Sequence, residues 1–224
     1  MIRDKDLTKI LINYAKKIGI DVIGFADPEE LIKFNQSNSP ETYLANCKTV
    51  IIVAIHIFDI ILDAWTEDKI TKKSHHFLDS ILENRLNLIK DFLHERNFKS
   101  VIIPYVPGLY LKDAAVLAGL GPIGKNNLLL TENFGSQIRL RALVTDAPLN
   151  IGHPVKNNIY CHDCNICIQS CPINALSGGV YNKELCLSYN ISNLVKISKY
   201  TSIWCNICIE ACPYSKKAAK ISIT

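Results

Sequence analysis

No uninterrupted apolar run in this sequence approaches the roughly 18 residues that a membrane span needs. The longest candidate, Val50–Ile57, has the length of a strand and carries His56. The opening residues, Met1-Ile-Arg-Asp-Lys-Asp, lack an apolar stretch ahead of a small-residue cleavage site, so a secretory leader is not expected and the cytoplasm is the default. Nothing resembles a Ser/His/Asp arrangement or a paired-carboxylate site, and the first 150 residues show no internal repeat. The imbalance of charge is also small. Lys and Arg number 25 against 21 Asp and Glu, a formal balance of +4. The surplus sits late, where Lys183, Lys196, Lys199, Lys216, Lys217 and Lys220 face only Asp163, Glu184 and Glu210, which is weak footing for nucleic-acid binding. What remains is ordinary globular composition, 48% hydrophobic and 21% charged over 224 residues, sized for one main domain with a smaller appendage.

Periodicity orders the first part of the chain. Leu7, Ile10, Leu11, Tyr14, Ala15 and Ile18 recur at helical spacing before Gly19, which predicts a helix over 5–18. A strand is expected at Ile20–Ala26, a short helix at 28–34 behind Asp27-Pro28, and a loop at Asn35–Pro40. Thr49–Ile57 and Ser100–Tyr105 read as buried strands. Between them Ser74–Asn97 has helical periodicity through Phe77, Ile81, Leu88, Phe92 and Leu93, which puts His75 and His76 at its start. A helix at Lys112–Ala118 and strands at Asn127–Leu130 and Ile138–Thr145 follow. Asp146–Asn158, with two prolines and Gly152, reads as a linker, which sets the domains at 1–150 and 151–224.

Eight of the nine cysteines crowd into 161–212. A disulfide scaffold suits short secreted chains, so metal is the better account. Cys161-x2-Cys164-x2-Cys167-x3-Cys171-Pro172 is the bacterial ferredoxin run, in which three thiolates cap a [4Fe–4S] cubane and the fourth reaches a second one. Cys205-x2-Cys208-x3-Cys212-Pro213 repeats its last three positions, but Ser202 stands where a first cysteine would be. Cys186 can supply that thiolate. By the same crossing logic, Cys161, Cys164, Cys167 and Cys212 hold one cluster, while Cys171, Cys186, Cys205 and Cys208 hold the other. Structural zinc, which favours pairs of Cys-x2-Cys, and free buried thiols fit this pattern less well. Two cubanes with their thiolates add about −4 of charge, offsetting the late basic surplus. His162 is expected to face solvent, Cys47 to be a small core residue, and Trp65, His75 and His76 to serve surface or packing.

Gly119-Leu120-Gly121-Pro122-Ile123-Gly124 matches G-x-G-x-x-G, but it follows a helix and leads toward a strand, the wrong setting for a dinucleotide fingerprint. A helix cap and turn explains one or two of the glycines. Three of them before Lys125-Asn126-Asn127 suggest a backbone closely approached by a ligand.

Ala118 to Asn126, then Gly135-Ser136, Thr145-Asp146, the ferredoxin run and Cys186-Leu-Ser188-Tyr189 before the second Cys-Pro element, together resemble epoxyqueuosine reductase. Their order is also similar to that of the corrinoid-dependent reductive dehalogenases. The resemblance implies an α+β chain, in which a nitroreductase-like α/β domain that binds cobalamin and substrate is followed by a two-cluster ferredoxin-like domain. It implies a reductase fed by a donor such as a ferredoxin or flavodoxin, with Gly119, Gly121, Gly124, Lys125 and Asn126 lining the corrinoid. The family places an acidic proton donor where this sequence has Leu111-Lys112, so Asp113 is the nearest candidate. It also continues into helical repeats that help grip tRNA. This sequence stops at Thr224, so tRNA is not expected as substrate, and the substrate stays open. The other reading is an electron carrier or a reductive activator of a partner protein.

Overall fold

The structure, a computed structural model, describes residues 2–32, 38–67, 74–105, 108–155 and 157–215. The expected helix at 33–34, the loop at 35–37, and Lys216, Lys217 and Lys220 lie outside them. The chain divides into two compact units, Met1–Ile55 with Ile81–Gly121 and Arg139–Lys156, and His56–Ser80 with Pro122–Ile138 and Asn157–Thr224. In chain order the elements are α1 (Lys5–Lys17), β1 (Val22–Ala26), α2 (Pro28–Ile32), α3 (Pro40–Tyr43), β2 (Thr49–His56), β3 (Trp65–Glu67), β4 (Ser74–His76), α4 (Phe77–His94), β5 (Ser100–Ile102), α5 (Leu111–Leu117), β6 (Ile138–Thr145), α6 (Ile166–Ser170), α7 (Lys183–Ser192), β7 (Val195–Lys196), β8 (Thr201–Ile203) and α8 (Ile207–Glu210). None of the described helices is long and apolar enough to cross a membrane.

The first unit is built on a four-stranded sheet of order β1-β2-β6-β5. β1 runs antiparallel to β2 with Phe25 opposite Ile51, and β5 runs antiparallel to β6 with Val101 opposite Val144. β2 is buried at all eight positions, the behaviour of a central strand covered on both faces, which explains its unbroken apolar run. Asp4 caps α1 by accepting a hydrogen bond from the Leu7 amide at 2.8 Å, and Lys16 and Lys17 favour the dipole at its other end. The predicted strand at Ser100–Tyr105 stops at Ile102.

α4 has the predicted period with a shifted phase. Leu82, Leu86, Ile89 and Leu93 are fully buried, whereas Leu88 is 43% exposed. Two apolar stripes compete on this helix, and spacing alone does not say which one meets the sheet. Leu86→Ala is expected to cost about 2–5 kcal/mol, read as a lower chemical-denaturation midpoint with an unchanged m-value.

The segment read as a linker is instead packed into the first unit. The Asp4 amide donates to Pro148 O at 2.7 Å, the Gly152 amide donates to Phe25 O at 2.8 Å, and Asp4 bridges Leu149. A Cβ on Gly152 would stand 2.0 Å from Ala118 O, so only glycine fits there. Its prolines and glycine shape a tight path along the unit rather than a flexible tether.

The second unit holds a sheet of order β4-β3-β8-β7, antiparallel throughout. His75 and His76 lie in β4, opposite Thr66 and Trp65, not in the first turn of α4. Cross-strand pairing overrides the local helical pattern there. Trp65 stacks on Trp204 with centroids 5.5 Å apart. Asn127–Leu130 is a turn rather than a strand. Asn127 takes φ 58°, its amide donates to Gly124 O at 2.9 Å, and the Asn126 side chain accepts from the Leu128 amide at 3.2 Å.

Candidate metal centre

The two cysteine elements fold alike because they are written alike. Cys164-Asn-Ile-Cys-Ile-x-x-Cys171-Pro and Cys205-Asn-Ile-Cys-Ile-x-x-Cys212-Pro are the same phrase. Asn165 (φ −125°, ψ 15°) and Asn206 (φ −117°, ψ 11°) enter α6 and α8 with nearly the same backbone, and the two helices pack on each other. Ahead of the first element, Asn158 Oδ1 accepts from the Tyr160 and Cys161 amides at 3.0 and 3.1 Å, while its Nδ2 donates to Ile123 O at 2.8 Å. Ser202, at the vacant first position of the second element, belongs to β8 and pairs with Trp65 and Lys196. That position is committed to a sheet ladder.

Cys161, Cys164, Cys167 and Cys212 line a single cavity of about 110 Å³, closed by Asn126, Leu130, Tyr160, Pro213 and Tyr214. Among the described residues, no three His, Cys, Asp or Glu side chains converge on the position of one metal ion; these four thiols surround a volume instead. Burial first, then Cys161, Cys212 and Cys164, push the Cys167 thiol up. Burial and the Tyr160 hydroxyl likewise raise Tyr214, which donates to Glu132 O at 2.9 Å.

The other four cysteines share one neighbourhood. Burial and then Cys205, Cys167, Cys186 and Cys171 push the Cys208 thiol up to about 12. Cys205 is raised by burial, opposed by the Ile207 amide, with Cys186 and Cys171 adding to the rise. Tyr181 is raised by burial and by its hydrogen bond with Cys186. Two residues absent from the sequence reading organise this group. The buried Asn190 donates from Nδ2 to Cys186 O at 2.8 Å and to Cys186 Sγ at 3.5 Å, while its Oδ1 accepts from the Cys205 amide at 2.6 Å. The Ala175 amide donates to Cys171 Sγ at 3.3 Å. Asn190 lies four residues after Cys186, one turn along α7, but that spacing alone marks no ligand. Ionised thiols packed this closely repel one another, so the donor set suits a group with a cationic core that binds thiolates.

The other candidates stand apart from the thiols or take part in their support. Lys125 donates to Asn165 Oδ1 at 2.9 Å and to His162 O at 3.3 Å, bracing the first cysteine loop. Asn126 donates to Ser136 Oγ at 3.3 Å and lines the thiol cavity. A Cβ on Gly124 would stand 2.8 Å from Asn126 Oδ1 and 2.9 Å from Leu130 Cδ1. In the first unit, Gly119 takes φ 77° after α5, with His153 O 2.7 Å from where its Cβ would be, and Gly121 has φ 151°. At Gly119 and Gly124 the atoms nearest to an added Cβ belong to the chain itself. Asp113 lines a separate cavity in the first unit. His162 is exposed beside Asp163, and Cys47 is a buried core thiol pushed up to about 11 by burial.

No protein-family model matches the chain. It is 30% identical to epoxyqueuosine reductase of Listeria monocytogenes (serovar 1/2a, strain EGD-e), with 82% of this chain and 56% of that protein covered. To the Bacillus subtilis (strain 168) enzyme it is 27% identical, with 82% and 55% covered. The chain therefore spans about half the length of these curated relatives. Among solved structures, epoxyqueuosine reductase from Streptococcus thermophilus aligns with a TM-score of 0.74 at 23% identity, over 94% of this chain and 66% of that one. An epoxyqueuosine reductase bound to an epoxyqueuosine-modified tRNA-Tyr stem loop gives 0.72 at 23%, over 94% and 66%. The catabolic reductive dehalogenase NpRdhA, in complex with 3-bromo-4-hydroxybenzoic acid, gives 0.70 at 15%, over 97% and 34%. The mixed α/β architecture with antiparallel sheets is thus one that these reductases share. By sequence over four fifths of its length and by fold over nearly all of it, this chain is a relative of the epoxyqueuosine reductases.

Proposed function

We propose that this chain is an iron–sulfur reductase of the epoxyqueuosine reductase type. In this reading Cys161, Cys164, Cys167 and Cys212 hold one [4Fe–4S] cluster, and Cys171, Cys186, Cys205 and Cys208 hold a second. The observation that carries it is the convergence of Cys212 with Cys161, Cys164 and Cys167 on one cavity, across 45 residues from Cys167 (212 − 167). When bound, the clusters supply one-electron transfer, and a corrinoid supplies a low-valent cobalt nucleophile. The chain's own residues do the rest. Asn190 and Ala175 place N–H donors on cluster-ligand sulfurs, which tunes potential. Asp113, in the first turn of α5, is the nearest acid to the position where the family keeps its proton donor. The resemblance assigns the substrate side to a nitroreductase-like half, 1–150, and the cluster side to a ferredoxin-like half, 151–224, with Asn126 and Leu130 of the first half also lining the thiol cavity. Electrons arrive from a ferredoxin or flavodoxin, and the substrate is a small or nucleoside-type molecule.

The corrinoid stands on likeness of fold, since a structural relative is a B12-dependent dehalogenase. The contacts of Gly119, Gly124 and Lys125 with the chain itself favour a second reading, a carrier that delivers electrons to a partner protein. Titrating the anoxically reconstituted protein with cobalamin, while following the corrinoid absorbance, separates the two. The reductase reading predicts saturable binding at micromolar levels. Absence of binding leaves the carrier, and turnover of epoxyqueuosine-containing tRNA would extend the substrate to tRNA.

A further inference from the structure

The first unit contains a cavity of about 290 Å³ whose lining includes Ile103, Tyr105, Tyr110, Lys112, Asp113 and Arg141. Arg141 sits on β6, and only 6% of it is exposed. Its Nε is buried and finds no hydrogen-bond partner, and no ion pair with it forms among the described residues. Burying part of a guanidinium without a partner is costly. Arg139, two residues earlier on β6, projects from the same face of the strand, and its guanidinium lies 5.9 Å from the Tyr105 ring centroid. Lys112 brings a third cation, its pKa lowered by burial despite Asp113 beside it. Asp113 is the one carboxylate in the lining. Of the charged residues lining this cavity, then, Arg141 and Lys112 are cationic and Asp113 anionic, and the exposed rings of Tyr105 and Tyr110 line it with them.

We infer that this cavity binds the oxyanion of a small ligand, a phosphate or a carboxylate, between Arg141 and Lys112, with Tyr105 and Tyr110 against the ligand's apolar part. A guanidinium presents paired donors that match such an oxyanion, and a partly desolvated site strengthens the pairing. The size suits a small molecule rather than a large cofactor, lying at about the lower end of ligand pockets. The inference deepens the proposed function by naming the chemistry of its substrate. It needs no electron transfer, so its failure and the failure of the cluster reading are separate results.

The test is calorimetric titration of the cluster-containing full chain with inorganic phosphate and, separately, with benzoate, against chloride as control. Tighter binding of phosphate distinguishes a phosphate ester from a carboxylic acid as the natural group, and tighter binding of benzoate the reverse. Arg141→Met and Lys112→Met are expected to weaken the preferred anion at least tenfold, and Asp113→Asn to tighten it severalfold. Should Arg141→Met fail to fold, Arg141→Lys keeps the charge in the core, and Lys112→Met with Asp113→Asn decide the matter. Equal binding of chloride, no binding of either oxyanion, or affinities unmoved by Lys112→Met and Asp113→Asn would overturn the inference.

Discussion

Cys212→Ser is expected to halve the iron content of anoxically purified protein, from about eight to about four per chain, and to abolish electron transfer through the protein. Cys212 belongs to the second cysteine element by sequence but shares its cavity with the first three cysteines. By that grouping its loss should remove the cluster proposed for the first element. Cys171→Ser should do the converse, removing the cluster held by Cys186, Cys205 and Cys208 while sparing the other. Low-temperature electron paramagnetic resonance of the reduced variants should show spin coupling between the pair lost in both, with a different uncoupled cluster signal remaining in each. Adding Ser202→Cys to Cys186→Ser should not restore the missing iron, since position 202 is held in the β8 ladder between Trp65 and Lys196. A rescue there would mean that the second element binds its cluster in the manner of the first, and that Cys186 is a bystander.

Asn190→Leu carries the next largest effect. One side chain accepts from the Cys205 amide at 2.6 Å and donates to Cys186 at both O and Sγ. Leucine has a comparable volume and leaves these groups unpaired in a buried place, a cost of about 1–3 kcal/mol. It also removes an N–H donor from a ligand sulfur, and such donors stabilise the reduced, more negative cluster. The midpoint of the cluster held by Cys171, Cys186, Cys205 and Cys208 should therefore move to a more negative potential in a spectroscopic redox titration. The other cluster should not move. A shift of both together, or of the one lined by Cys212, would contradict the assignment of Asn190 to this group.

Much of the site was legible because ligand spacing is local chemistry. A three-residue step between cysteines turns the chain about a cubane whatever the rest of the protein does, and the run 161–172 needs no partner to be recognised. The count of eight thiols pointed to Cys186, which lies in the neighbourhood of Cys171, Cys205 and Cys208. Asn190 escaped because an asparagine on a helix has no spacing that announces a sulfur ligand, and its meaning comes from Cys205, fifteen residues later. The fold was legible where burial is continuous, as in β2 and the second half of β6, whose run at Ile138–Thr145 matches the expected limits. It was hidden where pairing is distant. β3, β4, β7 and β8 are two or three residues each and join positions 65 and 202, too short for any periodicity to show. The glycine segment lay between these cases. Its glycines do mark close approach, and the atoms that approach, His153 O and Leu130 Cδ1 among them, belong to the chain. Arg141 looked like one polar residue in an alternating strand, and only burial without a partner exposed its cavity.

The most direct test of the account is a count of iron, acid-labile sulfide and zinc in the full chain purified without oxygen. About eight irons and eight sulfides per chain, with zinc far below one, is the predicted result. Stoichiometric zinc, or iron well short of eight after anoxic reconstitution, would contradict the two interleaved sets of thiolates on which the electron-transfer function rests.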